Sequence, residues 1–117
     1  MRLFILMSLF WLNVGGNAIA ARTLTEKDFK TKIVGHTFNW KQSTSSGTVR
    51  FAPSGKISIT FNNNKKLKKD SGKWQWKSGA NCTRYKKIRK GKEKCTKLYF
   101  DDPGFRGANG SVLRYKN

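Results

Sequence analysis

Between Cys82 and Cys95 the chain reads TRYKKIRKGKEK, so that Arg84, Lys86, Lys87, Arg89, Lys90, Lys92 and Lys94 face a single acid, Glu93. Side chains of this kind at this density suit phosphate, sulfate or carboxylate groups. Arg84 and Arg89 could clamp such a group bidentately, while the lysines act as point charges. A second basic run, Lys65, Lys66, Lys68 and Lys69, lies in NNNKKLKKD. A disulfide between Cys82 and Cys95 would close a loop of about 13 residues and contribute roughly 3 kcal/mol through lost unfolded-state entropy. Two like charges about 6 Å apart in water repel by only ~0.7 kcal/mol, and less in salt. A bridge can therefore hold the cluster in shape. If the fold brings both runs together, eleven cations line one rim. About five of them on a single-stranded polyanion would give a log–log salt slope near −3.5.

Aromatic residues lie beside the cations. Tyr85 and Tyr99 flank the cluster and are candidate contacts for bases or sugar rings. Trp74 and Trp76, two apart, share a strand face, and the favoured reading turns them into the core with Lys73 and Lys77 outward. His36 is the only histidine, which excludes a His dyad or a His-rich metal site. It shares parity with apolar neighbours and is expected to be partly buried and hydrogen-bonded. A ribonuclease would need it beside Glu26 or Glu93 and a lysine. Of the six acids, Glu26 suits a helix cap and Asp70 a turn, while Asp101-Asp102-Pro103-Gly104 suits a β-turn. There is no G-x-S-x-G, no H-E-x-x-H and no P-loop. No catalytic residue, metal or cofactor is expected. Asn81-Cys82-Thr83 and Asn109-Gly110-Ser111 match glycosylation sequons, which matter only in a eukaryotic host.

The elements that must position these residues follow from the rest of the chain. Met1-Arg2, an apolar run from Leu3 to Leu12, and Ala18-Ile19-Ala20 have the form of a signal peptide, residues 1–20, cut after Ala20. The run is too short for an ordinary transmembrane helix, and nothing later is apolar enough to span a membrane. Residues 21–117 then form a single exported domain, periplasmic or secreted, where a disulfide would persist. Thr23-Leu-Thr-Glu26 reads as a capping box for a helix over 24–32. Beyond it the apolar period becomes two: Val34, His36, Phe38 and Trp40; Val49 and Phe51; Ile57, Ile59 and Phe61; Trp74 and Trp76. Further strands are expected over 82–88, 95–100 and 111–115. Pro53-Ser54-Gly55, Asp70-Ser71-Gly72, Ser78-Gly79, Lys90-Gly91 and Asn109-Gly110 separate them. The result is a mainly β fold: seven short strands in an antiparallel meander closing into a small barrel or sandwich, with a short N-terminal helix.

The order Gly35-x-Thr37-x-x-Trp40, Phe51-Ala-Pro-Ser-Gly55, Gly72-Lys-Trp74-x-Trp76, then Cys82 and Cys95 with Leu98-Tyr99, resembles small exported lipocalin-like β-barrel domains of proteobacteria. The likeness covers nearly all of 21–117, and its pieces are short. It implies a barrel in which the G-x-W-x-W strand is followed by a Cys-linked hairpin. Function is expected from the charge. The chain carries +19, with 25 Lys and Arg against 6 Asp and Glu. That predicts attraction to polyanions. The expectation is a non-enzymatic, monomeric binding protein whose basic hairpin meets an anionic polymer or an anionic membrane or cell-wall surface. Lipopolysaccharide, cell-wall polymer, acidic glycan and nucleic acid are the partners considered. A lipocalin-like carrier or enzyme inhibitor is the alternative, and a secreted toxin or nuclease the third.

Overall fold

In this computed structural model, residues 22–117 are described; the expected signal peptide and its cleavage point lie outside the described residues. Thr25 starts the helix α1 (Glu26–Lys32). Its Oγ1 accepts the Asp28 N–H at 3.1 Å, and Asp28 Oδ2 accepts the Thr25 N–H at 3.0 Å. The reciprocal cap thus sits two residues beyond the expected Thr23–Glu26 pair, because Thr23 bridges to Tyr99 instead. Leu24 and Phe29, immediately before the cap and four residues after it, are both buried in the positions of a hydrophobic staple. Gly35, at φ +91°, takes the chain away from the helix. Alternation therefore begins at Thr37 rather than Val34.

Nine strands follow: β1 (Thr37–Gln42), β2 (Ser45–Phe51), β3 (Lys56–Thr60), β4 (Lys69–Lys77), β5 (Ala80–Tyr85), β6 (Lys94–Thr96), β7 (Leu98–Asp101), β8 (Gly104–Gly107) and β9 (Val112–Tyr115). They form one antiparallel sheet, in the order β6-β5-β4-β3-β2-β1-β9-β8-β7, curled into a nearly closed barrel. The expected strand over 95–100 is extended, but its two halves pair with different neighbours. β6 and β7 run in the same direction with Lys97 alone between them. The first half pairs with β5 and the second with β8, which closes the barrel. The free edge of β7 is covered by the segment before the cap, through Leu24 N to Leu98 O and Phe100 N to Arg22 O, both 2.9 Å.

Cross-strand register fixes what faces inward. Phe38 opposes Val49, Val49 opposes Ile59, and Phe51 opposes Ile57, so these apolar residues share the inner face. Gly47 and Gly72 occupy inner positions where a Cβ would run into the backbone of Thr60 and Arg84 respectively. Their lack of a side chain lets the sheet coil tightly. One end of the barrel holds α1, whose Phe29 ring lies 5.5 Å from Phe51, 5.3 Å from Trp74 and 5.2 Å from Trp76. Trp74 and Trp76 therefore face inward, half-buried, and Trp74 Nε1 donates to Ala52 O at 2.8 Å. The short turns 52–55, 78–79 and 102–103 share this closed end. The opposite end is left to the connections 43–44, 61–68, 86–93 and 108–111. No helix among the described residues is long and apolar enough to cross a membrane.

Candidate anion-binding site at the open end

Both basic runs emerge at the open end. Lys65, Lys66 and Lys68 lie in the β3–β4 connection and Lys69 begins β4. Lys86, Lys87, Arg89, Lys90 and Lys92 lie in the β5–β6 connection, Arg84 near the end of β5, and Lys94 at the start of β6. All eleven are exposed. The residue that ties the two connections together is Asp70, which stands in β4 and not in a turn. Its buried carboxylate accepts the Ser71 N–H at 2.8 Å through Oδ1, and the Lys87 and Ile88 N–H groups, each at 2.9 Å, through Oδ2. Burial alone would push Asp70 upward. The three backbone N–H groups and the Lys87 charge outweigh it and hold the carboxyl below its usual range.

The β5–β6 connection is over-determined in other ways. Cys82 and Cys95 are directly opposed and disulfide-bonded, with Cys82 buried and Cys95 exposed. Ile88 packs against the core and opens the segment Ile88–Gly91, two successive turns in which the Lys90 N–H donates to Lys87 O and the Lys92 N–H to Arg89 O, both at 3.0 Å. Arg89 and Lys90 both take φ +54°, a left-handed conformation costing roughly 1–2 kcal/mol per residue. Arg84 Nη1 donates to Gly91 O at 2.8 Å. Arg89 Nη2 donates to Thr83 Oγ1 at 3.2 Å and to Thr83 O at 3.3 Å. The two arginines expected to clamp phosphate therefore also brace their own loop. Charge at the rim is presented chiefly by lysines.

Other expectations are corrected. Tyr85 is not an exposed platform. It points into the barrel, 8% exposed, with the Arg89 guanidinium 5.6 Å from its ring centre. Burial pushes its hydroxyl up to about 12, against the lowering effect of Arg89. Tyr99 is half-buried on the outer face of β7, where Arg106 covers its ring at 5.0 Å. His36 is exposed at the closed end, its ring packed edge-on 5.3 Å from Tyr115, and among the described residues no side-chain hydrogen bond holds it. Glu26 pairs with Lys30 at 3.0 Å and Glu93 with Lys77 at 2.7 Å. The trio a ribonuclease would need is thus not assembled. Asn81 is buried inside the barrel, so that sequon is closed.

The acids are segregated. Glu26, Asp28, Asp101 and Asp102 lie at the closed end, Asp70 is engaged by backbone, and Glu93 is held by Lys77 on the outer wall. The loop-holding role of Asp70 had no signal beyond its position after KKLKK. A like-charge row across the outer wall was also missed: Lys56 is opposite Lys73, and Lys73 opposite Arg84. Compared with family models, with curated proteins and with solved structures, the chain matches none of them.

Proposed function

We propose that this is an exported, non-enzymatic binding protein, periplasmic or secreted, whose open end docks on an anionic polymer or anionic surface. The observation that carries the reading is the Asp70 carboxylate bonded to the Lys87 and Ile88 N–H groups, which joins two cationic runs into one rim. Lysines dominate that rim and neither tyrosine is available there for stacking. Recognition by charge therefore fits better than base reading, which favours a phosphorylated or acidic polysaccharide, such as lipopolysaccharide or a cell-wall polymer, over single-stranded nucleic acid. The resemblance to small exported lipocalin-like domains is consistent with such a scaffold.

The test is binding to immobilised lipopolysaccharide, peptidoglycan, heparin, RNA and DNA at two ionic strengths. Tight retention at low salt on the lipopolysaccharide or polysaccharide supports, with a steep loss at high salt, is the expected result. Retention indifferent to salt, or confined to RNA and DNA, overturns the reading.

A further inference from the structure

The barrel interior holds a cavity beneath the cationic rim, sharing Arg89 and Lys94 with it. The cavity, of about 200 Å³, opens toward the same end, walled by Trp40, Phe51, Ile59, Phe61, Tyr85 and Leu113. An engineered apolar cavity of roughly 150 Å³ accepts benzene, so this volume suits one ring with substituents. Asn81 lines the cavity, is only 7% exposed, and its Oδ1 has no hydrogen-bond partner among the described residues. Folded proteins pair nearly all such atoms, so an orphaned acceptor on a side chain that lines a cavity points to a donor from outside the chain, reached once the amide turns toward that space.

The register supplies the other half of the site. Asn81 is opposite Thr96, while Lys94 is opposite Thr83, two residues nearer the mouth. Two residues along a strand advance about 7 Å. Lys94 and Arg89 both line the cavity; Lys94 has no acid partner among the described residues, and neither Asp nor Glu contributes to the wall. The cavity thus has an acceptor at depth, an apolar middle, and two cations one sheet row above.

We propose that the cavity binds a small aromatic carboxylate carrying a hydrogen-bond donor para to its acid group. The donor meets Asn81 Oδ1, the ring lies among the aromatic walls, and the carboxylate meets Lys94 and Arg89. A para-substituted ring spans the row without internal rotors to freeze, which a flexible chain of equal reach does not.

The experiment is a chemical-shift titration of the folded protein with 4-hydroxybenzoate, benzoate and 4-hydroxybenzyl alcohol, read at the Trp40 indole N–H and the Thr83 and Thr96 amides. Expected is tightest binding by 4-hydroxybenzoate, with about tenfold weaker binding by each analogue lacking one polar group. Asn81→Leu should erase the advantage over benzoate, and Lys94→Gln the advantage over the alcohol. Should Asn81→Leu not fold, Lys94→Gln and the three ligands on the unaltered chain still decide. Equal affinity for all three, shifts confined to the rim lysines other than Lys94, or no shift at millimolar ligand overturns the proposal. None of these outcomes bears on retention by polyanions, which is read separately.

Discussion

At Asp70 one carboxylate anchors the loop that bears half the candidate site. Because its folded pKa is held down, the stabilisation is fully present above the unfolded value, about 3.9, and is lost as pH falls below it toward the folded pKa. Protection of the Lys87 and Ile88 amides against exchange, measured relative to the free-peptide rate, should therefore fall below about pH 4 before the barrel itself opens. Asp70→Asn retains shape but loses the charge and one acceptor. It should cost about 1.5–3 kcal/mol in denaturant unfolding and unprotect the same two amides at neutral pH. Unchanged protection there would show that the disulfide and Ile88 suffice. Tyr85 gives the opposite sign. Its folded pKa of about 12 is raised, so stability is complete below the unfolded value near 10 and declines as pH rises through it. Tyr85→Phe should remove that alkaline slope, seen by comparing unfolding midpoints of the two proteins between pH 9 and about 12.

At the scale of elements, the hairpin β5–β6 and the helix α1 hold opposite ends. Cys82→Ala with Cys95→Ala releases a closure of 13 residues and should lower stability by roughly 3 kcal/mol. The barrel should persist, since β5 keeps its six-residue ladder with β4. Phe29→Ala removes the fully buried ring that α1 sets against Phe51, Trp74 and Trp76, and should cost about 3–5 kcal/mol by thermal or denaturant melt. Much of this was legible: period-two alternation marked β3 and the Trp74–Trp76 face, and Pro53-Ser54-Gly55 marked the β2–β3 turn. The cap was misplaced because TLTE and TEKD satisfy the same pattern, and only burial of Leu24 beside Phe29 selects the second. The run from Lys94 to Asp101 looked like one strand because alternation records extension, not which neighbour supplies the hydrogen bonds. Tyr85 was misjudged since its place in the cationic string concealed that a strand position opposite Gly72 must face inward. The tie made by Asp70 joins residues 17 and 18 apart and had no local signature.

Across the whole molecule the cations are not confined to one end; what differs between the ends is the acids. Lys27, Lys30 and Lys32 on α1 share the closed end with Glu26, Asp28, Asp101 and Asp102, and three of those acids are in ion pairs, with Lys30, Arg22 and Arg114. At the open end Asp70 is bonded to backbone N–H groups, and among the described residues none of the rim lysines is in an ion pair. Net charge alone would attract a polyanion to either end equally, whereas segregation makes the open end the stronger pole. Reversal of four lysines at each end separates the two views at identical net charge. Lys65, Lys66, Lys87 and Lys90 to Glu should abolish retention on a lipopolysaccharide or heparin support and flatten its salt slope by about three to four units. Lys27, Lys30, Lys32 and Lys56 to Glu should leave most of the slope in place. Circular dichroism of both variants checks that the barrel is intact. Equal losses from both ends would mean that binding follows total charge, with no role for the rim that Asp70 assembles.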